Sequence, residues 1–508
     1  MTLAPTVPPA DLEPAAAAPG ALSVPAAEVT LDPDDWQALR ALGHRMLDDT
    51  LDRLEHVRSR PLWRAVPDDV RAEFHRPLPR AGAGIENAYA DFRELVAPYP
   101  LGNTHPRFWG WVTGGGSPFG ALADLLATGD NATVSGLASA QVHVEEQVLD
   151  WLKELLAFPA GGSGLLASGC SMANVIGLAV GLLANAGFDL AEEGMAGAAR
   201  RPILYASRET HSSVDKAARL LGLGRAGLRK IGVGADYRID LGELAATIAR
   251  DREAGHHPCL LVGTAGTVNT GAFDDLEALA DLAARERLWF HVDGAFGALA
   301  AAVPELAART AGMARADSLA FDLHKWLHVP IEAACLLVRD PEAHRRAFTV
   351  PASYLSELER GVAAYTHRFS DLGPQLTRGA RALKIWMTLS AYGADRHAAV
   401  VAQNVRQAQA LERRIGARPE LELLAPTTLN IVCFRYRGGA ADERLDGLNR
   451  ELLMRLQERG LAVPSSTVLG GRFALRVCIA NHRTREADLE LFVASVLELG
   501  RELEGEAA

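Results

Sequence analysis

Residues 288–295 read Leu-Trp-Phe-His-Val-Asp-Gly-Ala. Four of the first five residues are apolar, and the run stops at a carboxylate followed by two small residues. A short, unbroken apolar run of this kind reads as a strand buried on both faces, as in parallel sheets. The pattern recurs on either side, at 203–207, 259–263, 318–321 and 333–338, and all of these are read as buried parallel strands. Helical stretches separate them at 143–157, 171–186, 213–222, 240–254 and 274–286. In the first of these, Val144, Val148, Trp151, Leu152 and Leu155 form one apolar stripe. Strand–helix alternation predicts an α/β domain, a parallel sheet with helices on both faces. Ligands of such sheets gather at the carboxyl ends of the strands. Four groups of polar residues fall at that rim: His211, the segment 264–267, Asp293 and the pair His324 and Lys325.

The rest of the chain organises around this block. Residues 1–30 are rich in alanine and proline and are expected to be a disordered leader. Asp32, Asp34 and Asp35 then suit a helix N-terminus. Trp36, Leu39, Leu42, Met46 and Leu51 follow at helical spacing to about Val57, and a second short helix is expected over 85–97. The predicted divisions are a helical segment 31–105, a large domain 106–390 and a small α+β domain 391–508. In the last, helices at 395–415, 441–459 and 484–502 accompany strands at 429–436 and 473–479.

Composition excludes several classes. At 508 residues and 48% hydrophobic, the chain can bury a large core. A net charge of −11 argues against nucleic acid as a partner. No apolar run reaches membrane-spanning length, and no signal peptide is expected. The five cysteines are scattered, odd in number and without CxxC spacing, which reads as reduced thiols of a cytoplasmic protein with no metal site. Only five of the 52 basic residues are lysine. Arginine replaces lysine at most surfaces but not where a neutral amine must attack a carbonyl.

One of those lysines, Lys325, sits in Asp-Leu-His-Lys-Trp (322–326), 32 residues beyond Asp293. The pair suggests a lysine holding an aldehyde cofactor and a carboxylate holding its ring nitrogen protonated. A desolvated rim would lower the lysine pKa. Gly294 and Ala295 leave room for a flat ring. Ser168, Gly169, Cys170 and Ser171 precede a helix whose free N–H groups suit a phosphate. His211, in Glu-Thr-His-Ser-Ser-Val-Asp-Lys (209–216), suits stacking on the ring, and the loop 264–271 offers hydroxyls and backbone donors. Each feature alone has a plainer reading: a surface lysine, a turn aspartate, an ordinary helix start, a loop histidine, a polar loop.

Taken together, these segments, with His-Pro-Arg-Phe-Trp-Gly-Trp (105–111) and Phe-Ala-Leu-Arg-Val-Cys-Ile (473–479), resemble the group II pyridoxal 5′-phosphate (PLP) decarboxylases, most closely the aromatic-L-amino-acid decarboxylases. The resemblance runs from about 36 to 499. It implies a fold-type I, aspartate aminotransferase-like architecture: a large domain on a mixed, mostly parallel seven-stranded sheet, a small α+β domain and an N-terminal helical segment. It also implies a homodimer with shared sites.

By position, Lys325 is the Schiff-base lysine, Asp293 pairs with the ring nitrogen and His211 stacks on the ring. Cys170, Ser171, Thr267, Ala295, Ser318, Asp322 and His324 surround the cofactor. Tyr354 falls where the family has a loop tyrosine that protonates Cα and favours amine over aldehyde. Trp109, Trp111, Val112, Gly114 and His211 fall in the substrate pocket, although core packing accounts equally well for Trp109.

Three departures stand out. Asp322 replaces a frequent asparagine, Gly114 replaces a threonine, and residues 131–136 are small and polar where aromatic decarboxylases are bulky. The implied activity is conversion of an L-amino acid, aromatic by preference (tyrosine, tryptophan or phenylalanine type), to its amine and CO2. The alternatives are a decarboxylase of acidic or diamino acids, an oxygen-dependent aldehyde synthase on the same scaffold, and a non-catalytic relative.

Overall fold

The computed structural model of the chain describes residues 29–350, 358–364, 367–439 and 441–506. Tyr354 and the expected leader up to residue 28 lie outside these residues.

Two sheets organise the chain. The strand β1 (Phe108–Trp109) belongs to the smaller one. The larger contains β2 (Ser163–Ala167), β3 (Pro202–Ser207), β4 (Leu228–Ile231), β5 (His257–Thr264), β6 (Trp289–Asp293), β7 (Ser318–Asp322) and β8 (Ala334–Val338). Its spatial order is β2-β8-β7-β6-β5-β3-β4. Strands β3 to β7 pair in parallel, and β8 runs antiparallel to both β7 and β2. The central strands are buried along their length: Leu260, Leu261, Val262, Val292, Leu319, Ala320 and Phe321 are all inaccessible to solvent. That explains the unbroken apolar runs, because helices cover both faces and no position alternates outward.

The reversed β8 corrects the expectation that 333–338 is a parallel strand. Only eleven residues separate Asp322 from Ala334, and a parallel crossover needs a dozen or more. The chain therefore turns back beside β7. Strands β2 and β4 were not anticipated. The edge strand β4, Leu-Arg-Lys-Ile, is only partly buried and carries too little apolar signal to be read alone.

The smaller sheet has the order β1-β11-β12-β10-β9, with β9 (Leu421–Leu423), β10 (Ile431–Tyr436), β11 (Val463–Leu469) and β12 (Arg472–Cys478). Phe108 and Trp109 pair in parallel with Val463 and Pro464. The segment read as the start of the large domain thus completes the sheet of the small one. Trp109 is buried in that core, its ring edge-on to Phe492 at 5.3 Å and its Nε1 donating to Thr484 Oγ1 at 3.1 Å. Core packing is its role, and it does not line the substrate pocket. Helices Ala394–Gly416, Asp442–Glu458 and Glu486–Glu506 cover this sheet. At the other end of the chain, Asp35 caps helix Trp36–Glu55 by accepting from the N–H groups of Gln37 and Ala38.

One buried ion pair anchors β2. Arg378 Nη2 donates to Glu145 Oε1 at 2.5 Å and to the Leu166 carbonyl at 2.7 Å, and Glu145 Oε1 also accepts the Leu166 N–H. Both side chains are essentially inaccessible. Arg378→Met would leave a buried carboxylate without its cation. The expected loss is about 3–5 kcal/mol of unfolding free energy, read from the urea midpoint. A change below about 1 kcal/mol would show that the pair is dispensable.

Candidate active site

The four groups of rim residues meet in one cavity of about 370 Å³ at the carboxyl ends of the strands. Asp293 is the last residue of β6, and Asp322 the last of β7. Lys325 lies on the single helical turn Leu323–Trp326 directly after β7. His211 is the N-cap of helix Ser212–Leu220, which follows β3. Helix Cys170–Asn185 opens on the same cavity, and its N-cap Gly169 supplies no capping side chain.

Lys325 Nζ lies 2.7 Å from Asp322 Oδ2. Burial pushes the ammonium down, but the carboxylate of Asp322, with Cys170 and Asp293 behind it, outweighs burial and leaves Lys325 above its ordinary value. The expectation that desolvation would lower the lysine pKa is therefore reversed by its neighbour. Asp322 Oδ1 accepts the Cys170 N–H at 2.6 Å, which spends one donor of the helix start on a carboxylate. Asp322 thus serves the lysine and the helix end together. The ring of His324 stands 3.8 Å away, and burial holds it below its ordinary value.

Asp293 is buried, and its direct partners are neutral. Oδ2 accepts from Asn174 Nδ2 at 3.0 Å, and Oδ1 accepts from the Ala295 N–H at 3.1 Å and faces the Cys170 thiol at 3.6 Å. The Cys170 thiol is pushed well up, first by burial and then by Asp293. His211 Nδ1 accepts the Ser213 N–H at 3.2 Å, and burial lowers its ring pKa. A neutral imidazole with that acceptor carries its proton on Nε2.

Of the residues anticipated, Lys325, Asp293, His211, Cys170, Ser171, Ala295, Asp322, His324, Trp111 and Val112 line the cavity. Thr267 and Ser318 do not. Thr267 Oγ1 faces its own loop, 3.0 Å from Thr270 Oγ1, and accepts the Ala272 N–H. Ser318 opens β7 at the opposite end from the rim and bonds Trp289 and His291. Gly114 packs behind the lysine: a Cβ there would come within 2.2 Å of the His324 and Lys325 carbonyl oxygens, so a threonine cannot replace it without moving that turn.

Asn174 and Phe296 also line the wall and were not singled out from the sequence, whereas Gly266 and Val268 fall inside the loop 264–271 named there. Asn174 lies in the helical stretch expected over 171–186, and its signal is an amide at an otherwise apolar helical face. Arg476 was missed as well. It is buried and ties two walls of the cavity together, Nη1 donating to the Trp111 carbonyl at 2.8 Å and Nε to the Val268 carbonyl at 3.0 Å. Held this way, Trp111 adopts a left-handed backbone with φ 54°. Such a backbone costs a non-glycine residue of order 1–3 kcal/mol.

These residues fit PLP: an amine for its aldehyde, a buried carboxylate with neutral partners for its ring nitrogen, an imidazole for its ring, and a helix start with Ser171 for its phosphate. The comparisons agree. The profile described as the pyridoxal-dependent decarboxylase conserved domain matches residues 67–437. An aromatic-L-amino-acid decarboxylase of Bacillus atrophaeus is 30% identical over 474 residues, 92% of this chain and 96% of that protein. An L-2,4-diaminobutyrate decarboxylase of Rhizobium meliloti is 30% identical across 84% of each chain. The crystal structure of Oryza sativa TDC with PLP and tryptamine matches with a TM-score of 0.85 and 29% identity, covering 93% of this chain and all of that one.

Proposed function

The chain belongs to the pyridoxal-dependent decarboxylase family, and from that premise we propose that it converts an aromatic L-amino acid to its amine and CO2. It is a PLP-dependent carboxy-lyase on the fold-type I scaffold. The observation that carries the roles of individual residues is the convergence of Lys325, Asp293 and His211 on one cavity.

When bound, PLP supplies an aldehyde carbon for amino groups and a ring that accepts the electron pair of the breaking Cα–carboxylate bond. The chain's own groups set the conditions for that chemistry. Lys325 supplies the tethering amine, and Asp322 Oδ2, 2.7 Å away, is placed to take the ammonium proton that must leave first. Asp293 holds a proton at the ring nitrogen. His211, neutral and protonated on Nε2, covers the ring from the cavity wall. Ser171 offers its hydroxyl and N–H to the phosphate at the helix start, where the peptide dipoles favour an anion. Tyr354 is proposed to return a proton to Cα.

Trp111, Val112, Val268 and Phe296 make the cavity wall apolar and support an aromatic side chain. The likeness to a diaminobutyrate decarboxylase supports a second reading, a non-aromatic substrate. Exposed apolar side chains at Trp36, Met46, Leu125 and Leu126 support a second copy of the chain as partner. Five buried free cysteines support a cytoplasmic setting. Among the described residues no helix is long and apolar enough to cross a membrane, and no cluster could hold a metal.

A panel of aromatic, acidic, basic and diamino L-amino acids tests the proposal, with CO2, amine, ammonia and peroxide measured together. Equal amounts of CO2 and amine, with the highest kcat/KM on an aromatic acid, are expected. Aldehyde, ammonia and peroxide as main products would replace the amine assignment. A clear preference for 2,4-diaminobutyrate or an acidic substrate would replace the aromatic one.

A further inference from the structure

Behind Asp293 runs a line of buried polar side chains that the proposed function leaves unused. Asn174 Nδ2 donates to Asp293 Oδ2 at 3.0 Å and to Ser213 Oγ at 2.9 Å. Asn174 Oδ1 lies 2.9 Å from His291 Nε2, and His291 Nδ1 lies 2.8 Å from Ser318 Oγ. Trp289 Nε1 donates to the same Ser318 Oγ at 2.9 Å. His291 and Ser318 are fully inaccessible and Asn174 nearly so.

The direction of every bond follows from what each group can do. A carboxylate only accepts, so the amide edge facing Asp293 is Nδ2, and this turns Oδ1 toward His291. An amide oxygen only accepts, so His291 carries its proton on Nε2 and accepts on Nδ1. The Ser318 hydroxyl therefore donates to Nδ1 and accepts the indole N–H. The chain has one polarity, from Trp289 through Ser318, His291 and Asn174 to Asp293. Burial pushes the His291 ring down to about 4, consistent with a neutral link.

The backbone makes room for this line. A Cβ at Gly177 would come within 2.8 Å of the His291 ring, and one at Gly181 within 2.5 Å of the Trp289 ring. Glycine is the poorest helix former after proline. Two of them, one turn apart in the helix that carries Asn174, let both rings lie against it. The same amide also reaches the other side of the site, because Ser213 Oγ lies 2.9 Å from His211 Nδ1.

We propose that Asn174, polarised by the His291–Ser318–Trp289 chain, is a positioning residue that keeps the proton shared between Asp293 and bound PLP on the ring nitrogen. This rests on the reading above that Asp293 faces that nitrogen. Donors aimed at a carboxylate favour its charged form, and successive hydrogen bonds strengthen one another. Every link is neutral, so the chain steadies the negative charge without cancelling it as an arginine would. Breaking it makes the carboxylate a stronger competitor for the proton and weakens the ring as an electron acceptor.

The test is 15N NMR of holoenzyme loaded with PLP labelled at the ring nitrogen, alongside steady-state kinetics. Wild type and His291→Gln, whose amide nitrogen can stand in for Nε2, should both show a protonated ring nitrogen. His291→Phe should move the resonance toward neutral pyridine and lower kcat about 10- to 100-fold, the range for outer-sphere partners, with little change in KM. If His291→Phe does not fold, Ser318→Ala removes a single oxygen and should shift the resonance the same way.

An unshifted resonance in His291→Phe, or in Ser318→Ala where that is the variant read, would overturn the proposal. Equal shifts in His291→Gln and His291→Phe would also overturn it by assigning the effect to packing. A neutral ring nitrogen in the wild type would instead overturn the reading of Asp293, so the two failures give different signals.

Discussion

Lys325→Ala and Lys325→Arg holoenzymes are expected to lack the visible absorbance of the wild type and to turn over at least about 10⁴-fold more slowly. The two variants separate covalent from electrostatic roles. Alanine removes the amine and leaves the buried Asp322 carboxylate without its 2.7 Å partner, so stability should fall as well. Arginine restores a positive charge beside Asp322 but stays protonated and cannot attack a carbonyl. Colour and turnover should therefore be lost in both, and stability mainly in the first. Absorbance spectra, turnover and urea midpoints of the purified proteins check this. Turnover within tenfold of wild type in either variant would remove Lys325 from the centre of the site.

Between pH 6.5 and about pH 4 the fold should lose stability steeply. His105, His291 and His344 are buried, and burial pushes each ring from its ordinary 6.5 down to about 4. In the unfolded chain these rings take up protons below pH 6.5, whereas in the folded chain they do not until about pH 4. The unfolded state binds more protons across that window, so stability falls as pH falls. Each ring contributes up to about 1.4 kcal/mol per pH unit, and the three together about 4. Asp274 works the other way: burial raises it from 3.8 to about 6, so its contribution is lost as pH rises through that value. One such group offsets about one histidine. Urea midpoints at pH 7, 5.5 and 4.5 check the slope, and a flat profile would mean that these rings are solvated.

The parallel strands and the rim were legible because burial on both faces writes itself into sequence as unbroken apolar runs. The run at 259–263 falls within β5, and the run at 288–292 falls within β6 except for its first residue, Leu288. Direction was not legible. An apolar run reads the same whether its strand runs up or down, and only the short link after Asp322 reverses β8. The pairing of β1 with β11 was invisible for a related reason, since a two-residue strand has no period and its partner lies about 350 residues away. Of the site residues, those at strand ends were placed by the alternation itself. Thr267 was placed at the rim by the alternation and given a cofactor role by resemblance, Ser318 was placed by resemblance alone, and the structure turns both away from the cavity.

The class of sheet, the rim on which Lys325, Asp293 and His211 meet and, through the order of the motifs, the family are all legible in the amino-acid order. These depend on periodicity and on which residue types stand where strands end, and both are local properties. How those residues are held emerges only from the packing of distant segments. Asp322, rather than burial, governs the charge of Lys325, and the direct hydrogen bonds to Asp293 come from neutral donors. The chain from Trp289 to Asp293 crosses two strands and a helix. The physical reason is that charge and proton position depend on distances of about 3 Å between residues far apart in sequence, and no local pattern in the sequence records those distances.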